Sequence, residues 1–316
     1  MERRLRGRVR GAVACDVSLA RFTTYRLGGP AALCVEPAGA SDLELLGDAL
    51  RAEGVGPDEA PVLVLGRGSN VVVSDAGWPG VVVRVGARLA RVDADGERGL
   101  RAGAGTSLPL VANWAARRGL SGMEFAVAIP GSVGGGVRMN AGAHGRDVAG
   151  ALVRATVFDL RALDVSERAA HALDLSYRHS NLADHEVVLD ATFELEPAPR
   201  DDVRRRMDDY RRHRAETQPG AVQNAGSTFK NPDGDAAGRL VEAAGLKGFR
   251  VGGARVSELH ANFFVADDGA SAQDVYDLVA AVRARVHDRF GVGLETEVRF
   301  VGAFGERVES TAGGSR

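Results

Sequence analysis

Residues 128–145, AIPGSVGGGVRMNAGAHG, place six glycines in eighteen positions together with the hydroxyl of Ser132 and the amide of Asn140. Glycine lets the backbone approach a ligand closely but weakens a helix or strand interior, so this density suits a binding surface better than a core element. A second loop, GRGSN (66–70), lies between the strand-like runs PVLVLG (61–66) and NVVVSD (70–75). That order restricts the fold. A dinucleotide fingerprint needs GxGxxG spacing and a helix after the loop. Here a strand follows, and Val71 and Val72 occupy the later positions. No GxxxxGK motif followed by Ser or Thr is present either. Alone, GRGSN reads as an ordinary β-turn. Paired with 128–145 it reads as half of a surface whose backbone N–H groups wrap a diphosphate without a helix dipole.

The runs GVVVRV (80–85), ALVRATVFDL (151–160) and EVVLDATFELE (186–196) extend the β-rich pattern, with Gly, Asp and Asn as turns. SLPLVANWAARRG interrupts it as a helix: Ser107 is placed to cap, Pro109 sits in the first turn and Gly119 stops it. From residue 200 the period becomes helical in DDVRRRMDDYRRHRAE, DAAGRLVEAAG and SAQDVYDLVAAVRARVHDRF, the last behind a Ser271/Asp274 capping pair. The arginines of 203–214 read as a solvated face, PAPR (197–200) as a linker, and LETEVRFVG (294–302) as a closing strand. These patterns predict an N-terminal segment (1–24), a first domain (25–196), a C-terminal domain (200–302) and a disordered tail (303–316).

At 316 residues with 45% hydrophobic content the chain is long enough for more than one core. Its net charge of −2 provides no overall field for nucleic acid or an anionic membrane. The opening MERRLRGRVRGAVACDVSLARF has no apolar run of signal-peptide length, and no segment approaches a membrane span, so a cytoplasmic protein is expected. Cys15 and Cys34 lack metal or redox spacing and read as buried small hydrophobes. No metal site is expected.

TTYRLGGPA (23–31), GRGSN, IPGSVGGGVRMNAGAHG, SYRHSNL (176–182), NAGSTFKNP (224–232), AAGLKGFRVGGARVSELHANFFV and LETEVRFVG are collinear from about residue 20 to 302, and together they resemble the UDP-N-acetylenolpyruvoylglucosamine reductases, the MurB family of peptidoglycan synthesis. The resemblance implies an α+β protein whose FAD-binding domain has the PCMH-type, vanillyl-alcohol-oxidase-like fold, followed by a C-terminal α/β substrate-binding domain. It implies non-covalent FAD held by Gly66, Arg67, Gly68, Ser69 and Asn70 and by Pro130, Gly131, Ser132, Gly134, Gly135, Asn140 and Gly142. NADPH supplies electrons, and the enol ether of UDP-N-acetylglucosamine-enolpyruvate is reduced to UDP-N-acetylmuramate. A monomer or weak dimer is expected, with no nucleic-acid or membrane partner.

The resemblance also assigns a catalytic set. Arg178 would pair with the substrate carboxylate and stabilise the developing enolate, Glu297 would assist it, and Ser227 would protonate the enolate carbon. Read without the family, Arg178 is a surface ion pair and Ser227 a turn residue. Glu295 shares a strand face with Glu297 at period two, and only the Val-Arg that follows favours Glu297. Lys230, Asn231, Lys247 and His260 fall at substrate-contact positions. Thr217 stands where the family often has a lysine, leaving that contact missing or supplied by Arg212 or Arg214. The spacing from Arg178 to Ser227 matches the shorter family subtype, without the inserted loop that brings a tyrosine over the substrate. Two other readings compete. A flavin oxidase of the wider fold would carry a covalently linking His or Cys near the loops, where His144 is the only candidate. A non-catalytic nucleotide-sugar binder would not need Arg178, Ser227 and Glu297 together.

Overall fold

Val81, Val82 and Val83 are consecutive and all buried, as expected of a strand covered on both faces. They lie in Trp78–Arg84, which pairs in parallel with Pro30–Glu36 on one side and Val62–Leu65 on the other, and Ala12–Ser18 closes the four-stranded sheet antiparallel to Pro30–Glu36. A second, antiparallel sheet runs in the order Asp164–Ala169, Leu152–Asp159, Glu186–Glu194, Gly99–Gly103, Val92–Asp95. The computed structural model describes residues 1–54, 62–220 and 222–305, so most of the expected tail lies outside the described residues. Residues 12–18 belong to the first sheet rather than to a separate N-terminal segment, and Leu5 is buried in the first core. Cys34 is buried as expected, whereas Cys15 is exposed on the edge strand.

Leu108–Arg117 forms the expected helix with Pro109 in its first turn and Gly119 at φ 69°, but the Ser107 side chain makes no capping bond. The helix Arg200–Thr217 departs further from expectation. It buries Val203 and Met207 in the first core, and Glu196–Pro197 pairs with Leu120–Ser121, so PAPR is not a free linker. Arg205, Arg211 and Arg212 pair with acids three residues earlier, as on a solvated face. Arg206 instead reaches the buried Glu124 at 2.7 Å, and Arg214 donates to the Ala128 carbonyl. The other face of this helix thus belongs to the first core.

The C-terminal core packs Ala237–Ala243 and Ala272–Phe290 with a three-stranded antiparallel sheet, Arg250–Val251, Ala254–Val256 and Phe264–Ala266. Ser271 and Asp274 form the expected capping box, and the carboxylate of Asp75 accepts the Ala272 and Gln273 N–H groups, each at 3.0 Å. That bond ties the helix start to the first half of the chain. Two further ties join the start of the chain to its C-terminal half: the hydroxyl of Tyr25, itself buried in the C-terminal core, donates to the Phe264 carbonyl (2.9 Å), and the Thr24 hydroxyl to the Asn224 carbonyl (2.6 Å). Finally the chain returns, and Arg299–Val301 pairs in parallel with Val71–Val73, the strand that follows GRGSN. This crossing delivers residues near the C-terminus to the glycine loops.

Candidate active site

The two glycine-rich stretches meet, and the second is not the continuous loop expected: Val133–Arg138 forms a short α-helix whose Gly135 N–H donates to the Ser132 hydroxyl at 3.4 Å. A Cβ on Gly66 would stand 2.5 Å from Ser132 Oγ, and Arg67 Nε donates to the Pro130 carbonyl at 3.3 Å. Gly68 has φ 59°, and a Cβ there would lie 2.1 Å from the Phe22 carbonyl oxygen, so both conformation and space demand glycine. Gly68→Ala is expected to cost at least about 2 kcal/mol from left-handed strain and overpacking. Thermal unfolding checks this, and an unchanged melting temperature would contradict the geometry.

One cleft is walled by Gly66–Val71, Ile129–Ser132, Gly135, Gly136, Arg138, Met139, Ala141–Ala143, Arg178, Arg214, Gln218, Ala225–Ser227, Phe263, Glu297 and Arg299. The Glu297 N–H donates to the Thr228 carbonyl at 2.8 Å, Phe229 bridges Thr296, and Asn70 Nδ2 holds the Glu297 carbonyl at 3.0 Å. These backbone bonds place Glu297 beside the Ser227 loop and the GRGSN loop together. Arg178 stands in a tight turn at φ 56°, donating through Nε to Glu297 Oε1 at 2.5 Å and through Nη2 to the Gly142 carbonyl at 3.1 Å. Both side chains are largely buried, 19% and 13% exposed. Burial pushes the Glu297 carboxyl above the usual carboxylate range, while the charges of Arg178 and then Lys230 act in the opposite direction.

The paired acids separate cleanly. Regular strand geometry resumes only at Arg299, so Glu295 and Glu297 do not share a face: Glu295 is 71% exposed and pairs with Lys230 (2.6 Å), whereas Glu297 faces Arg178. Glu297→Gln is therefore expected to lower turnover by about 10²-fold, the scale of a lost charge-assisted hydrogen bond to a largely buried guanidinium, and Glu295→Gln by less than about threefold. Equal steady-state turnover in the two variants would remove Glu297 from the site.

Of the expected loop residues, Gly134 and Asn140 are not cleft residues. A Cβ on Gly134 would lie 3.0 Å from Ala104 Cβ, and its N–H donates to the Ala104 carbonyl. Asn140 is buried at φ 39° with its amide committed to Asp147, the Ser176 carbonyl and the Ala149 N–H, so it braces the turn that carries Arg178. Lys230 lines a groove that adjoins the cleft, shared with Arg138, Arg178, Glu297 and Arg299. Asn231, Lys247 and His260 line neither. Asn231 Oδ1 accepts the Ala237 N–H (3.1 Å) at the start of a helix, and Lys247 pairs with Glu242 (2.7 Å). Burial, and then the Lys247 charge, lower the pKa of His260, whose Nδ1 accepts the Asn262 N–H. Arg214 is the one of the two candidate replacement cations that reaches the cleft wall, since Arg212 pairs with Asp209. The expected set also omits Gln218, Met139 and Arg299, which line the wall: Met139 and Arg299 lie inside the quoted motifs and could have been included on that signal, whereas Gln218, just after the helix Arg200–Thr217, is brought there by the packing of that helix. His144 is stacked on Tyr210 at a ring separation of 4.0 Å.

Several features fit a large flat dinucleotide such as FAD. Among the described residues, the N–H groups of Arg67, Gly68, Ser69 and Gly131 have no protein acceptor, and Gln218 Oε1 is buried without a partner. A Cβ on Gly226 would meet nothing within 4 Å. Unpaired donors beside open backbone are what a diphosphate and a planar ring system require. The fold and the cleft define an FAD-binding oxidoreductase: residues 33–169 match the FAD binding domain family. Residues 218–301 match the family of UDP-N-acetylenolpyruvoylglucosamine reductase C-terminal domains. The chain is 46% identical over 96% of its length to UDP-N-acetylenolpyruvoylglucosamine reductase 2 of Symbiobacterium thermophilum, covering 97% of that protein. It is also 46% identical to the reductase of Rubrobacter xylanophilus, over 92% of this chain and 96% of that one. The crystal structure of the Thermus caldophilus reductase superposes with a TM-score of 0.78 at 38% identity, covering 92% of this chain and 99% of the other. The chain belongs to the UDP-N-acetylenolpyruvoylglucosamine reductase family.

Proposed function

We propose that this enzyme reduces UDP-N-acetylglucosamine-enolpyruvate to UDP-N-acetylmuramate through the Arg178–Glu297 pair and the Ser227 hydroxyl. The observation that carries the assignment is that these three residues, far apart in sequence, line one cleft with both glycine loops. FAD, held by the loops 66–70 and 130–142, would supply hydride transfer to the enolpyruvyl double bond with electrons from NADPH. Addition of hydride to one alkene carbon leaves negative charge on the other, delocalised into the neighbouring carboxylate. Arg178, fixed through Nε and Nη2, offers its remaining donors to that carboxylate and stabilises the charge as it develops. Glu297 fixes the guanidinium and balances its charge. Ser227 delivers the proton to the carbanionic carbon. A serine hydroxyl is a weak acid in water, and it serves here because the acceptor is strongly basic and the donor is held in place.

We infer that Lys230, beside this cleft, contacts the substrate and that Asn231, Lys247 and His260 act farther along the C-terminal domain, on the nucleotide. The domain boundary that fits the packing lies near residue 218, after the helix Arg200–Thr217. We place the enzyme in the cytoplasm, a reading consistent with the fact that no helix among the described residues is long and apolar enough to cross a membrane. An anaerobic experiment tests the reaction: the purified protein is reduced with NADPH and then given the enolpyruvyl sugar while flavin absorbance is followed. Rapid reoxidation by the sugar is expected. Reoxidation only after air is admitted would favour an oxidase, and folded protein without flavin would favour a binding protein.

A further inference from the structure

Arg178 is held on more sides than its two hydrogen bonds account for. The preceding residue, Tyr177, places its ring 5.0 Å from the Arg178 guanidinium carbon, and the Tyr177 hydroxyl lies 3.5 Å from the Asn231 N–H. Tyr177 is 52% exposed and belongs to none of the hydrophobic clusters, so its contacts are with Arg178 and the Asn231 backbone rather than with a core. It does not wall the cleft, so whatever it does there is done through its neighbours. The turn itself is held by reciprocal Ser176 and His179 backbone bonds and by the buried Asn140 amide on the Ser176 carbonyl. The turn therefore does not need the ring for its shape.

We propose that Tyr177 is a positioning residue for Arg178: its ring lies against the guanidinium as a cation–π partner, and its hydroxyl spans to the Lys230–Asn231 loop of the C-terminal domain. Guanidinium groups stack on aromatic faces, and the attraction grows where the cation is shielded from water, as at this 19%-exposed side chain. The geometry divides the restraint on Arg178 into three parts. Glu297 fixes Nε, the Gly142 carbonyl fixes Nη2, and the ring fixes the plane. A rotated plane would point the remaining N–H donors away from the substrate carboxylate even with the ion pair intact. The shorter spacing between Arg178 and Ser227 led to no expected tyrosine over the substrate. Tyr177 is not that residue: it stands beside Arg178 on the catalytic turn and outside the cleft wall.

The proposal rests on the reaction assigned above, and single-turnover kinetics separate the two. Parent, Tyr177→Phe and Tyr177→Leu enzymes are loaded with FAD, reduced anaerobically with NADPH and mixed with the enolpyruvyl sugar. Tyr177→Leu is expected to slow reoxidation by about 5- to 30-fold, the range of a partly shielded cation–π contact. Reduction by NADPH should be unchanged, and the melting temperature should fall by no more than about 5 °C, the shift expected from one lost surface contact. Tyr177→Phe, which keeps the ring, should stay within about threefold of the parent. In an Arg178→Ala background the Leu substitution should cost nothing further, because a residue that acts only through Arg178 has nothing left to position. Full activity in Tyr177→Leu, a Phe variant as slow as the Leu variant, or additive losses in the double variant would each overturn the role. A parent enzyme that the sugar fails to reoxidise would instead overturn the assigned reaction, and this role with it.

Discussion

Ser227→Ala is expected to leave reduction by NADPH intact while slowing reoxidation by the enolpyruvyl sugar by at least about 10²-fold. The expectation follows from what alanine removes. Ser227 lies in the loop after Gly226, whose φ of 77° is held by an Asn224 side-chain bond to its N–H at 2.9 Å, and residue 227 bridges Phe263 through the backbone. None of those restraints uses the hydroxyl. The variant therefore keeps the loop and the cleft and loses only the hydroxyl proposed as the proton donor. Stopped-flow flavin absorbance separates the half-reactions. Reoxidation at the parent rate would take Ser227 out of the mechanism, and an equal loss in both half-reactions would make it a cofactor-positioning group.

Arg178→Lys is expected to be nearly as damaging as Arg178→Ala, each lowering the reoxidation rate by about 10² to 10³-fold, the scale of a lost oxyanion donor. Arginine meets Glu297 and the Gly142 carbonyl through two separate nitrogens and keeps further donors for a carboxylate. Lysine brings one compact ammonium, which cannot hold Glu297 and the Gly142 carbonyl while presenting a fork to the substrate. The two variants should differ in pH dependence. Burial raises the Glu297 carboxyl pKa and the Arg178 cation lowers it, since a nearby positive charge favours the ionised form. Removing the cation in Arg178→Ala must raise that pKa further, so the limb of the pH–rate profile governed by Glu297 moves to higher pH, and by less in Arg178→Lys. A lysine variant with parental reoxidation would reduce Arg178 to bulk charge.

Local patterns decided much of the architecture. The consecutive valines of 80–85, the Ser271/Asp274 pair and Pro109 with Gly119 each act within a few residues, through burial on both faces, capping and fixed backbone angles, and the corresponding strand and helices form there. GRGSN was legible for the same reason, since the strand that follows it at once is marked by its own valines, whereas the short helix Val133–Arg138 inside the second glycine-rich stretch was not, because three consecutive glycines carry no helical signal of their own. The helix Arg200–Thr217 was misplaced because its pattern reveals an amphipathic face without revealing which core receives Val203 and Met207. Asn140 is a similar case. A buried amide and a ligand-facing amide are identical in sequence, and only its bonds to Asp147, Ser176 and Ala149 distinguish them.

By itself the sequence determined the strand and helix succession, the two glycine loops, the family and the residue types its chemistry requires, because each rests on short-range stereochemistry or on a collinear set of motifs. The tertiary structure alone decided which of those residues meet. The parallel pairing of Arg299–Val301 with Val71–Val73 and the Glu297 N–H bond to the Thr228 carbonyl bring the end of the chain beside the first glycine loop and Ser227. The same closure buries Glu297 against Arg178 and leaves Glu295 in water, a difference of environment that two identical side chains two residues apart cannot encode locally.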